Sequence, residues 1–146
     1  MDDATKTGFA GRSNAARNPG GLIGVWAEEN SRDSIFDGLK RKEVFGTSGP
    51  RIEPRFFGGR DLPRDLCEDP AMLEKAYAQA VPMGGDLPDG AGAPSFLVAA
   101  TADAGTEALP GTPLQQLQVV KGWYDAEGIT IKRSSRWRAT LAMVHR

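Results

Sequence analysis

The sequence predicts an α+β fold in two parts: a strand-helix-strand unit over residues 20–59, then a small, loop-rich, mainly β segment over residues 60–128 with one helix. Three observations predict it. The continuous apolar run Leu22-Ile23-Gly24-Val25-Trp26-Ala27 passes within a few residues into a helical period. Glycine and proline number 18 and 10 of 146 residues, so turns must be frequent and elements short. Toward the end of the chain, apolar residues alternate with polar ones, as at Leu117 and Val119.

Leu22 to Ala27 has the pattern of a strand covered on both faces, as in the parallel sheets of α/β folds. It stops at Glu28-Glu29. Asn30 or Ser31 can cap the following helix, because a short side-chain oxygen there accepts from a backbone N–H with no helical partner. Asp33 places negative charge at the start of the helix, and Lys40, Arg41 and Lys42 place cations at its end, as the helix dipole favours. Ile35, Phe36 and Leu39 share one face, so an amphipathic helix is expected from about Ser31 to Glu43. Gly46-Thr47-Ser48-Gly49-Pro50 then breaks it. From Arg51 to Phe57, Ile52, Pro54 and Phe56 alternate with Arg51, Glu53 and Arg55, which is the pattern of a second strand. Pro54 has no N–H for a ladder, so this strand lies at an edge or carries a bulge.

Gly58-Gly59 lead into a polar loop, Arg60 to Glu68, punctuated by Pro63. Asp69-Pro70 is a helix start, with Asp as cap and Pro where a missing N–H costs nothing. Met72, Leu73, Ala76, Tyr77 and Ala80 form its apolar stripe, and Pro82 ends it. Met83 to Ala93 is a loop rich in Gly, Pro and Asp. Ser95 to Thr101 is a β-type run centred on Phe96-Leu97-Val98, and Asp103 to Thr112 is a further loop. Leu117 to Trp123 reads as a half-buried strand, Asp125-Ala126-Glu127-Gly128 as a hairpin turn, and Ile129 to Lys132 as the returning strand. Trp26, Trp123, Phe56, Phe57 and Phe96 fall in these apolar strand patterns and are expected in the core.

A rival account of the end starts at Gly128. Every acidic residue precedes it, and Ile129 to Arg146 carries only basic charge. Such a break also fits translation out of frame, which would make the basic tail 129–146 accidental. Residues 1–19, small, polar and basic without a sustained period, read as a loop or disordered lead-in.

A net charge of -1 gives no reason to expect nucleic acid or an anionic membrane as partner of the whole chain. No apolar run approaches the ~20 residues of a membrane span. Met1-Asp2-Asp3 is acidic, unlike the basic start of a signal peptide. One cysteine, Cys67, excludes an internal disulfide, and it has no evident activating neighbour.

GVWAEENSRDSIFDGLKRKEVFGTSGPRIEPRFFGG, Gly24 to Gly59, resembles the signature near the C-terminal end of a large bacterial family of unassigned role, domain of unknown function 3604. VPMGGDLP (Val81 to Pro88), APSFLVAATADA (Ala93 to Ala104) and PLQQLQVVKGWYDAEG (Pro113 to Gly128) resemble later parts of the same family, in order. Its members are several times longer and resemble the polymerase-and-histidinol-phosphatase type of metal-dependent hydrolase. His-x-His and Asp-x-His motifs lie upstream of the stretch seen here, and this sequence has neither. The resemblance therefore implies that residues 20–59 are the strand-helix-strand remnant of a larger α/β hydrolase-like domain, with a β-sandwich-like appendage after it. It implies a divalent metal in the complete parent, none for this chain, and the missing N-terminal part of the parent domain as natural partner.

Candidate chemistry is sparse. Glu28 and Glu29 sit just past the end of a strand, where α/β folds place catalysis, and could act as base or orient a metal ligand from elsewhere. The plainer account is a junction whose carboxylates favour a helix N-terminus. Thr47, Ser48 and Arg51, around Gly46 and Gly49, could cradle an anion, although the spacing is not that of a P-loop. A tight helix-to-strand turn with a solvated Arg is the plainer account there. Asp86 and Asp89 read as solvated loop carboxylates. His145, the single histidine, has no companions for a zinc site. Two functions are thus in play: a fragment, without activity of its own, of a metal-dependent hydrolase, with phosphoesters the substrate class the resemblance suggests, and a β module that binds a partner or ligand.

Overall fold

The computed structural model describes residues 20–124, 128 and 130–137. The expected lead-in over residues 1–19, the hairpin tip at residues 125–127 and His145 lie outside the described residues. The elements are β1 (Leu22–Val25), α1 (Arg32–Lys40), β2 (Val44–Thr47), β3 (Glu53–Gly59), α2 (Met72–Gln79), β4 (Val81–Pro82), β5 (Ser95–Thr101), β6 (Leu117–Tyr124) and β7 (Thr130–Trp137), with a 3-10 turn at Leu66–Glu68. The strands form a β1-β2 pair, a three-stranded β4-β3-β5 sheet and a β6-β7 pair. All pairings are antiparallel. The architecture is mixed α+β and mainly β, as the sequence predicts.

Ser31 caps α1, its Oγ accepting from Ser34 N at 3.3 Å. The helix is shorter than the expected Ser31 to Glu43, and its end explains the first correction. Lys42 adopts φ 60°. Lys42 N donates to Leu39 O at 3.1 Å and Glu43 N to Gly38 O at 3.1 Å, the two bonds of a Schellman cap. The cap reverses the chain so tightly that Val44 pairs with Val25, and Thr47 with Leu22. What reads in sequence as an interior parallel strand is therefore half of an antiparallel pair, and the expected break at Gly46-Thr47 is the end of a strand. Ile23 is 83% exposed and Leu22 46%.

The apolar face expected on α1 is also corrected. Phe36 and Leu39 are 56% and 47% exposed, and the buried residue is Gly38. A Cβ on Gly38 would lie 2.7 Å from Trp26 O and 2.8 Å from Val25 Cγ1. The helix thus approaches β1 through the one position with no side chain, which rotates Phe36 outward.

The core lies between α2 and β3-β5: Phe57, Leu66, Met72, Ala76 and Leu97, with Leu62, Ala80 and Ala99 packed against it. Burial of a side chain like Phe57 contributes about 1.5–3 kcal/mol. Strand β3 pairs with β5 from Glu53↔Thr101 to Gly59↔Ser95, whereas β4 reaches only Phe57 and Gly58. Pro54 therefore sits where β3 is paired on one side only, as its missing N–H requires. Phe57 is in the core as expected, on the face that α2 covers, whereas Phe56, also expected there, is only half-buried on the other face. Phe56 instead stacks on Phe96 at 5.4 Å, and Phe96 is 51% exposed rather than core. Leu66, inside the stretch read as a polar loop, is 3% exposed.

Asp69 starts α2 through a turn: its Oδ1 accepts from Ala71 N at 2.8 Å and its Oδ2 from Lys75 Nζ. In the last hairpin Leu117↔Trp137 to Tyr124↔Thr130 are paired. Leu117, Val119 and Trp123 are half-buried and Gln118, Val120 and Tyr124 exposed, the alternation read from the sequence.

Candidate functional site

The densest polar arrangement surrounds Glu43, which follows the Schellman cap and is 3% exposed. A carboxylate taken out of water must be hydrogen-bonded on both oxygens or it destabilises the fold. Arg41 Nε donates to Oε1 at 2.7 Å, and the Tyr77 hydroxyl donates to Oε2 at 2.9 Å. The hydrogen bond from Arg41 to Glu43 raises the Arg41 pKa, and the nearby carboxylates of Glu28 and Asp37 add to the effect. Arg55 NH1 in turn donates to the Tyr77 hydroxyl at 2.8 Å, and its guanidinium carbon lies 3.3 Å from the centre of the Trp26 ring. Trp26 Nε1 donates to Pro54 O at 3.1 Å. Residues from the turn between α1 and β2, from α2, from β3 and from just past β1 meet in this one network.

A phenol between a carboxylate and a guanidinium resembles an activated nucleophile, but its electrostatics run the other way. Burial raises the Tyr77 pKa, the Glu43 hydrogen bond adds to that, and Arg55 offsets only part of it. Nucleophilic use requires a phenol that ionises more easily. The network is therefore a fastening between the β1-α1-β2 unit and the β3-α2 unit. Sequence reasoning missed it because Glu43 sits in a cationic run and Arg55 on the polar side of an alternating strand. The available signal was one acidic residue wedged between Lys42 and the apolar Val44-Phe45.

The sequence-predicted site residues fall elsewhere, in two places. Glu28 and Glu29 are exposed past the end of β1, and their backbone N–H groups donate to Ser34 Oγ at 3.1 and 3.3 Å. Thr47, the last residue of β2 and the partner of Leu22, lies with Ser48 and Arg51 at the opposite end of the β1-β2 pair. The structure does not bring the two sets together. Around the second set an internal carboxylate is already present. Asp103 Oδ2 accepts from Arg51 N at 2.8 Å and Oδ1 from Gly105 N at 2.8 Å, and these bonds lower the Asp103 pKa. Thr47 Oγ1 is buried without a partner among the described residues. Asp86 and Asp89 are exposed on their loop, and Cys67 is an exposed free thiol.

No group of three or more His, Cys, Asp or Glu side chains that could hold a metal ion occurs among the described residues. No helix among them is long and apolar enough to cross a membrane. A shallow apolar groove of about 100 Å³ lies on the outer face of the three-stranded sheet, lined by Phe56, Gly58, Val81, Pro82, Leu87 and Phe96 among others.

Fold and network together define a small, mainly β α+β chain whose helices are tied to its sheets at one buried carboxylate. The chain belongs to the family described as Protein of unknown function (DUF3604), whose model matches residues 2–134. The match reaches further than the motifs quoted above at both ends, and the charge break at Gly128 falls inside it. No curated protein and no solved structure matches the chain.

Proposed function

We propose that this chain is a structural part of a metal-dependent hydrolase, possessing no hydrolytic activity of its own and packing through β1 and α1 against a larger catalytic body. The observation that carries the reading is Ile23, 83% exposed in a strand whose residues are apolar on both faces. A lone two-stranded pair with such residues gains little from water exposure and much from cover. In that assembly Glu28 and Glu29 lie at the rim of the catalytic pocket, and the divalent metal is held by side chains of the larger body. Among the described residues, no donor set of this chain fits a metal.

The test uses a full-length family member that contains this segment, assayed for metal-dependent hydrolysis of a chromogenic phosphodiester. Turnover is expected in the long protein and not in this chain. Ile23→Asp should abolish it together with the folded assembly, and Glu28→Gln should lower turnover or metal content in a protein that still folds. A long protein with no metal-dependent turnover, or one indifferent to both changes, overturns the reading.

The groove at Phe56 and Phe96 favours a second reading, a β module that binds a ligand or partner without catalysis. Phe96→Ala in the same long protein separates the two: it should leave turnover unchanged and weaken capture of the ligand.

A further inference from the structure

The segment between β4 and β5 is held to the rest of the protein in an unusual way. From Gly84 to Pro94 every residue is exposed except Leu87, which is half-buried. Among the described residues, the segment's one backbone–backbone hydrogen bond outside helices and strands is Gly85 N to Pro82 O at 3.1 Å. Its remaining polar anchors come from a single side chain at the end of β3. Arg60 donates through Nε and NH2 to Pro88 O, at 3.3 and 3.0 Å, and through NH1 to Gly92 O at 2.6 Å. Gly90 lies flat on that guanidinium, since a Cβ there would stand 2.9 Å from Arg60 Nε. Glycines with positive φ bound the segment, Gly84 at 85° and Gly92 at 83°.

Leu87 is the one side chain the segment turns inward. It lines the apolar groove, and its Cδ2 lies 3.9 Å from where a Cβ on Gly58 would be. The groove floor is thus a glycine backbone walled by Phe56 and Phe96, and Leu87 covers it. Arg60 bonds to neutral carbonyls, the weaker class of acceptor for a guanidinium, so the latch is easily exchanged.

We propose that residues 84–92 form a strap, latched by Arg60 alone, whose Leu87 side chain is a displaceable plug over the groove of Phe56, Gly58 and Phe96. Release of the latch uncovers the apolar floor of the groove to solvent. The inference depends on neither reading in the preceding section.

The experiment compares the wild-type chain with Arg60→Ala and Arg60→Lys. Loss of the guanidinium fork should speed cleavage within residues 84–92 by a non-specific protease at least about tenfold, the equivalent of one charge-assisted hydrogen bond. The Leu87 methyl resonances should move toward unstructured values, and the global unfolding midpoint should stay within error. An apolar reporter dye, 8-anilinonaphthalene-1-sulfonate, should brighten with Arg60→Ala and with Leu87→Ala. Adding Phe96→Ala to Arg60→Ala should remove that gain. Arg60→Lys keeps the charge and guards against misfolding of the alanine variant. Unchanged cleavage with unmoved Leu87 resonances in both variants overturns the proposal. So does cleavage that rises only in step with lost global stability, because Arg60 would then hold the core and not a latch.

Discussion

The guanidinium of Arg55 lies flat enough on the Trp26 indole to place its central carbon 3.3 Å from the ring centre, while its NH1 holds the Tyr77 hydroxyl at 2.8 Å. Both residues are half-buried, so the cation and the ring are partly shielded from water and the attraction exceeds that of a surface pair. A double-mutant cycle with Arg55→Met and Trp26→Leu, read by urea unfolding, should return a coupling of about 1–2 kcal/mol. Because no carboxylate is part of the contact, added salt should change the coupling little. A coupling near zero would leave Arg55 as a hydrogen-bond donor and nothing more.

Tyr77 carries the next link. Tyr77→Phe keeps the ring against Phe57, 5.0 Å away and edge-on, and removes the hydroxyl that donates to Glu43 and accepts from Arg55. A buried carboxylate oxygen stripped of its donor costs about 1–3 kcal/mol, so the variant should unfold at lower urea with an unchanged slope. The pH dependence gives a second check. The Tyr77 pKa is raised in the folded protein, chiefly by burial and then by the Glu43 hydrogen bond. Its contribution is present below the ordinary value of 10.0 and is lost as pH rises through the folded pKa. The phenylalanine variant should lack that alkaline loss.

Gly84 and Lys42 make a contrasting pair at the turn beneath the strap. Gly84 has φ 85°, and a Cβ there would fall 2.5 Å from both Arg41 O and Lys42 O. Backbone oxygens cannot swing aside as a side-chain tip can, so Gly84→Ala should cost at least about 2 kcal/mol. Lys42 occupies the left-handed position of the Schellman cap, where glycine is the relaxed choice. Lys42→Gly should stabilise by about 0.5–1 kcal/mol, seen as a higher thermal midpoint. Opposite signs from two substitutions at one contact would confirm that backbone approach, not side-chain packing, governs this corner.

Which parts of the fold are legible in the sequence follows from what each signal reports. Ser95–Thr101 and the alternation of Leu117, Val119 and Trp123 are legible because a period of two maps directly onto a half-covered sheet. The helix cap at Ser31 is legible because capping is local chemistry. The fate of Leu22 to Val25 is not, because an apolar run states that cover is wanted and not which strand supplies it. That choice was made by Lys42, a residue with no left-handed preference that nonetheless reverses the chain. The inward face of α1 was misread for a related reason: periodicity scores side chains, and Gly38 packs by having none. The Glu43 network is longer in range still, joining residues 34 positions apart at Glu43 and Tyr77. Charge runs and alternation describe each partner alone and cannot pair them.

Asp103 offers a prediction that bears on the anion-cradle residues. Its carboxylate takes the backbone N–H of Arg51 and that of Gly105, each at 2.8 Å, and so ties the turn after β2 to the loop after β5. The two backbone hydrogen bonds hold its pKa below the ordinary 3.8, with the Arg51 charge a smaller contribution. A carboxyl with a depressed folded pKa stabilises the fold above its unfolded value, and that contribution is lost as pH falls through the folded pKa. Asp103→Asn keeps the shape and does not titrate. Wild type should therefore be the more stable of the two from neutral pH down to about 3.8, with the gap closing below it. Urea midpoints of both proteins across that range check this. The same variant removes the negative charge and leaves one acceptor oxygen for two N–H donors, so phosphate should shift the amide resonances of Ser48 and Arg51 more strongly in Asp103→Asn than in wild type. Equal shifts in the two proteins would mean that Asp103 does not occupy the place an anion would take.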